Sequence, residues 1–209
     1  MTKRLLIFVL AAAATVFGAI AMSQASTPEA RPAKHARPGH RTYTVSPVLT
    51  HRFAVLRTAR AATAWTAPAE YAEHLTEPGT MVSEYQLEPT QARAITVGGT
   101  QVWVTPGANG ICLGIPAADG SSLNTGCSSL PESEQGLLIV QRPSTGPVVY
   151  GLVPSNDSVT TTNKDGSTNS VTVNDNVFID SSAAVRSIAV HAADGSVVRS
   201  MTVAKSATE

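Results

Sequence analysis

The side chains able to support chemistry are few in this chain, and the two cysteines are the most specific pair among them. Cys112 and Cys127 lie 15 residues apart, each next to small or apolar residues. A reactive thiol is the alternative to a disulfide, but it needs a cationic or electropositive neighbour, and Cys112 lies in an apolar run. An even pair at this spacing in an oxidising compartment therefore predicts a Cys112–Cys127 disulfide.

Acid–base chemistry depends on His191, which ends the alternating run V-R-S-I-A-V-H. A hydrolytic site would pair it with Asp180, Asp194 or Ser182, but spacing alone does not establish such a group. The chain has no G-x-S-x-G, S-x-x-K, H-E-x-x-H or phosphate-binding glycine loop. We therefore predict no catalytic residue and no cofactor.

Metal and nucleic-acid sites are also unsupported. His74 lies among glutamates without a second histidine, and Asn163–Ser167 begins like a calcium loop but has no closing carboxylate. We predict no metal ligand. The segment 61–209 has six basic and fourteen acidic residues, which excludes nucleic acid as an expected partner.

The N-terminus predicts export. Lys3 and Arg4 precede an uncharged run, 5–22, and Ser23 and Ala25 offer the small residues of a cleavage site before Ser26. Residues 1–25 are thus expected to be a signal peptide, cleaved between Ala25 and Ser26. The alternative is an uncleaved signal anchor, since the run is 18 residues long. Either way the body is secreted or tethered outside the membrane.

A basic linker is expected over 26–47, because prolines and scattered charges leave little apolar surface to bury. From 26 to 60 there are seven basic residues and one acid. The linker is either a solvated tether or an arm that touches cell-wall polymer or a membrane surface; the partner is otherwise unknown. Segment 48–91 is expected to carry short helices, one over 48–64 capped by Thr50 and a second over 70–77.

Residues 92–209 predict an antiparallel β-sandwich or barrel-like domain, because short alternating runs are separated by glycine, proline and Asp-Gly turns. A loop is expected between Pro116 and Pro131. The expected strands are 92–97, 102–105, 111–115, 137–141, 148–153, 158–162, 170–173, 177–180, 185–191 and 196–203.

Residues 93–203 resemble a group of uncharacterised exported actinobacterial proteins. The similar segments are V-W-V-T-P-G-A-N-G-I-C-L at 102–113, Gly126-Cys127, V-Y-G-L-V-P at 149–154 and V-N-D-N-V-F at 173–178. The resemblance implies export, paired cysteines and a C-terminal immunoglobulin-like β region. It implies no catalytic role for any residue.

Three functions fit the sequence. The first is a secreted or surface-tethered, non-catalytic β-domain that binds or spaces. The second is an exported hydrolase using His191, or a protease inhibitor that presents Leu123 and Asn124 from the disulfide loop. The third is a membrane-anchored accessory subunit, which requires 5–22 to stay attached. We expect the first, because no catalytic motif accompanies the export signal.

Overall fold

The chain is described here by a computed structural model, which covers residues 42–58, 81–117, 123–143 and 146–203. Within them, strands dominate and three short helices precede the first strand. The helices are α1 (Pro47–Arg52), α2 (Val55–Thr58) and α3 (Met81–Tyr85), and 3₁₀ turns cover Pro89–Gln91 and Glu132–Gln135. The strands are β1 (Arg93–Val97), β2 (Thr100–Pro106), β3 (Gly110–Pro116), β4 (Leu123–Ser129), β5 (Leu137–Gln141), β6 (Val148–Leu152), β7 (Ser158–Asn163), β8 (Thr168–Val171), β9 (Val177–Asp180), β10 (Val185–His191) and β11 (Val197–Thr202).

These strands form three sheets in which every neighbour is antiparallel. The first is the meander β1-β2-β3-β4, the second has the order β5-β6-β9, and the third has the order β11-β10-β7-β8. The prediction of a mainly β fold with antiparallel sheets and few short helices is confirmed.

The β5-β6-β9 sheet is buried on both faces. Leu137 and Tyr150 pack into one core with β1, β2, β3 and the first two helices, whereas Leu138 and Phe178 pack into a second core with β7 and β10. Successive side chains of a strand point to opposite faces, so each strand of this sheet supplies both cores. This explains why L-L-I-V and V-V-Y-G-L-V are continuous apolar runs rather than alternating ones.

The first sheet contains the disulfide. Cys112 on β3 lies directly opposite Cys127 on β4, with 4.1 Å between their Cα atoms, and the two sulfur atoms are bonded. Cys112 is buried in a small cluster with Leu87 and Trp103, on the side of the sheet away from the main core. The predicted disulfide is confirmed.

Two sequence predictions within the described residues are wrong. Residues 123–129 were expected to be loop, but they form β4, because every residue from Leu123 to Ser129 finds a partner on β3. The first helix was expected within 48–64, with Thr50 as its N-cap. It begins at Pro47 instead, and extended backbone at Phe53 (φ −111°, ψ 108°) interrupts it before α2.

The signal peptide or anchor of 1–25, its cleavage site between Ala25 and Ser26, most of the basic linker and the second helix over 70–77 lie outside the described residues, as does His74. Over the residues that the structure does describe, no helix is long and apolar enough for a membrane span.

Candidate functional site

The candidate hydrolytic residues are not brought together. His191 Nε2 lies 2.8 Å from Thr160 Oγ1, and its Nδ1 lies 3.4 Å from the carbonyl oxygen of Gly195. Ser182 lies at the other end of β10, where its carbonyl accepts a hydrogen bond from the Val185 amide at 3.2 Å. Val185 and His191 are six residue steps apart along β10, a distance of about 20 Å. A triad of His191, Asp180 and Ser182 is therefore excluded by geometry.

His191 also makes no ion pair with Asp194. One Asp194 carboxylate oxygen accepts hydrogen bonds from the Ser196 amide at 2.9 Å and the Ser196 hydroxyl at 2.6 Å, which close the β10–β11 turn. These bonds lower the pKa of Asp194. The carboxylate is held as a turn cap instead of serving as a partner for the imidazole.

The Asp-Gly-Ser turn at 165–167 has the same construction. The Ser167 amide and hydroxyl donate to Asp165 at 2.8 and 2.6 Å, which lowers the pKa of Asp165, and Gly166 supplies a φ of +88°. Glycine adopts this conformation without strain, so the turn closes β7 onto β8. Across the described residues no cluster of three metal-ligating side chains occurs.

Just before the start of β7, a third carboxylate, that of Asp157, behaves differently. Burial, and then the charge of Asp194, raise the pKa of Asp157. The charged form of Asp157 is therefore disfavoured by the fold, because the group is partly desolvated and lies near a like charge.

Asp180 and Ser182 do lie together, at one side of a groove of about 640 Å³ that we call the edge groove. The chain from Asn169 to Asn174 forms one wall, Ile179 and Asp180 of β9 lie on the other, and Val97 and Gly98 at the end of β1 complete the lining. Asp180 accepts a hydrogen bond from the Ser182 amide at 2.8 Å. The groove is lined by hydroxyl, amide and aliphatic groups, with Asp180 as the ionisable residue.

The edge groove is the opened interior of a hairpin. Asn174 and Val177 exchange both backbone hydrogen bonds at 2.8 Å around Asp175 and Asn176, whose φ angles are 47° and 69°. Beyond that pair the two arms separate, because β8 pairs with β7 and β9 pairs with β6. Sequence reasoning missed this site, since it arises from the choice of strand partners.

Asn176 fixes the closed end of this hairpin. Its side-chain oxygen accepts a hydrogen bond from the Val55 amide at 2.9 Å, and its nitrogen donates to the Val153 carbonyl at 2.9 Å and to Ser155 Oγ at 3.3 Å. The residue is buried, with 7% of its surface exposed. One amide thus holds α2, the end of β6 and the start of β9 together.

The proposed inhibitor segment is part of a sheet. Leu123 and Asn124 pair with Pro116 and Ile115 in the β3–β4 ladder, and Leu123 packs against the cluster that contains the disulfide. A reactive-site loop must project into a protease cleft, and these two residues are instead held along β3. Residues 118–122, which join the two strands, lie outside the described part of the chain.

Neither a family model, nor a curated protein, nor a solved structure matches the chain. The similarity to exported actinobacterial proteins therefore stays a prediction.

Proposed function

We propose that this chain is an exported, non-catalytic binding domain of the secreted or surface-tethered kind. The observation that carries the proposal is the Cys112–Cys127 disulfide, since such bonds persist in oxidising compartments outside the cytoplasm. The predicted signal sequence of residues 1–25 supports the same compartment. In a sandwich-like β-domain of this kind, binding surfaces are expected at sheet edges and loops.

The separation of His191 from Asp180 and Ser182 favours binding over hydrolysis. Asp194 and Asp165 are held as turn caps, so they contribute to folding rather than to proton transfer. The edge groove is a concave surface that combines hydroxyl, amide and apolar groups, as small binding sites do.

The test of export is fractionation of cells that express the full chain with a C-terminal epitope tag. We expect the tagged chain in the culture medium, and a matched variant without residues 2–25 inside the cells. Recovery of the full chain only in membranes would support the anchored accessory subunit instead. Retention of both forms in the cytoplasm would overturn the proposal.

A further inference from the structure

We propose that the edge groove binds an extended peptide as an added β-strand, and that it prefers a peptide carrying a basic side chain. This inference rests on the proposed function only in naming the ligand class of the binding domain. Three features support it: the open backbone groups of β8 and β9, the lack of edge protection on β8, and the carboxylate of Asp180.

The wall formed by β8 presents unpaired backbone groups. The Asn163 amide donates to the Ser167 carbonyl at 2.8 Å, which sets the alternation of bonded pairs between β7 and β8. By that alternation Asn169 and Val171 point their N–H and C=O groups at β7, whereas Thr168 and Ser170 point theirs away. Within the described residues no backbone group bonds to Ser170 from the open side.

The opposite wall presents a matching group. Val177 exchanges backbone bonds with Asn174, on the side away from β6. Ile179 lies two residues further along β9, so its N–H and C=O point the same way, into the groove. Each wall therefore offers a backbone N–H donor and a C=O acceptor to a peptide strand in the groove. Recognition by strand addition uses backbone groups of this kind.

β8 also lacks the features that keep edge strands from pairing. Its residues, T-N-S-V, include no charge and no proline, and its pairing with β7 has no register shift. The opposite edge of the same sheet, β11, carries Arg199, and its pairing with β10 contains a bulge. Charges and bulges are the usual protection of an edge strand. β8 is thus the edge left open for a partner.

Charge selects the partner. Asp180 is the ionisable side chain of the groove lining. A second copy of the chain would pair β8 with β8, whose residues include no base, and would bring two Asp180 carboxylates to one interface. A peptide with a lysine or arginine supplies the missing opposite charge, so the peptide is the occupant that electrostatic complementarity favours.

The experiment titrates purified, oxidised protein, labelled with ¹⁵N, with an acetylated and amidated octapeptide of alternating threonine and valine that has one central lysine. We expect shifted amide signals at Thr168, Ser170, Thr172 and Ile179. Replacing the lysine by glutamine and then by glutamate weakens binding by about two- to fivefold at each step. Asp180→Asn keeps the acceptor for the Ser182 amide and abolishes this ranking.

Two proline variants test the edge directly. Ser170→Pro removes an outward N–H of β8 and is expected to weaken binding at least about fivefold. Ser200→Pro is the matched control, because Ser200 is an exposed residue on the open side of β11. Dispersed amide spectra for both variants establish that they fold. Equal affinity of the two variants would overturn the proposal.

Other outcomes also decide the matter. Unchanged signals at the four amides up to the solubility limit of the lysine peptide would overturn the proposal. A dimer seen by sedimentation without peptide, and broken by Ser170→Pro, would assign the edge to a second copy instead. These results concern purified protein, so they are independent of whether the chain is exported.

Discussion

Replacement of Asn176 by alanine should destabilise the protein more than any other single change at an asparagine. The variant leaves the Val55 amide without its acceptor and removes the donor to the Val153 carbonyl, both at a buried site. An unsatisfied buried group costs about 1–3 kcal/mol. Alanine at a φ of 69° adds about 1–2 kcal/mol, because a Cβ is crowded in the left-handed region. The expected loss is about 2–5 kcal/mol of the free energy of unfolding.

Two control variants separate these contributions. Asn176→Gly also removes the amide, but glycine adopts the positive φ without strain. Its free energy of unfolding should therefore be about 1 kcal/mol higher than that of Asn176→Ala. Asn156 has a φ of 76° and is exposed, with no side-chain hydrogen bond among the described contacts. Asn156→Ala should therefore cost only the backbone term, about 1–2 kcal/mol.

The assay is urea unfolding without reductant, followed by tryptophan fluorescence and far-ultraviolet circular dichroism. Coincident transitions from the two probes allow the free energies to be compared. If Asn176→Ala and Asn156→Ala were equally destabilised, the amide of Asn176 would not hold the three segments together as its hydrogen bonds indicate.

Three further variants probe the disulfide, a carboxylate and a close contact at the start of β3. Replacing Cys112 and Cys127 together by alanine should cost about 3 kcal/mol in urea unfolding, since the bond closes a 15-residue loop; reduction of the wild type should reproduce the loss, and no change on reduction would contradict this. Asp157→Asn should raise the free energy of unfolding at pH 7 by under about 1 kcal/mol, because burial and the charge of Asp194 raise the pKa of Asp157. A raised carboxyl pKa penalises the charged form, so the gain should vanish below about pH 4; a gain that persists there would have another cause. Gly110→Ala should lower the free energy of unfolding by about 1–3 kcal/mol, because the new Cβ would lie 2.5 Å from the Ser128 carbonyl oxygen and 2.5 Å from the Tyr85 ring. An unaltered melting temperature would show that these neighbours move aside at no cost.

Most strands of the second and third sheets could be read from the sequence. The runs 137–141, 177–180 and 185–191 were predicted with the bounds that the structure has. Each is an apolar or alternating run between clear turn residues, so local pattern and tertiary structure agree. The Asp-Gly-Ser turns at 165–167 and 194–196 were equally predictable from sequence, because the glycine and the capping carboxylate act within the turn itself.

β4 was missed for a physical reason. Its sequence, L-N-T-G-C-S-S, is poor in branched and aromatic residues, so its local preference is that of a loop. Pairing with β3 along its whole length, together with the Cys112–Cys127 bond, makes it a strand. Cys127, within this strand, was the one signal that placed the segment beside β3.

The edge groove depends on a choice that no local pattern encodes. The segment from Ser170 to Asp180 reads as a simple hairpin around Asp175 and Asn176. Its two arms separate because the first, β8, pairs with β7 and the second, β9, pairs with β6. Asp180 and Ser182 were identified by their chemistry, but their place beside an open strand edge follows from the packing of the sheets.

The most direct test is an intact mass of the chain recovered from culture medium, measured before and after reduction. An exported, disulfide-closed domain predicts a chain that begins at Ser26 and gains two hydrogens on reduction. A chain recovered with Cys112 and Cys127 both as free thiols would contradict the disulfide on which the proposed function depends.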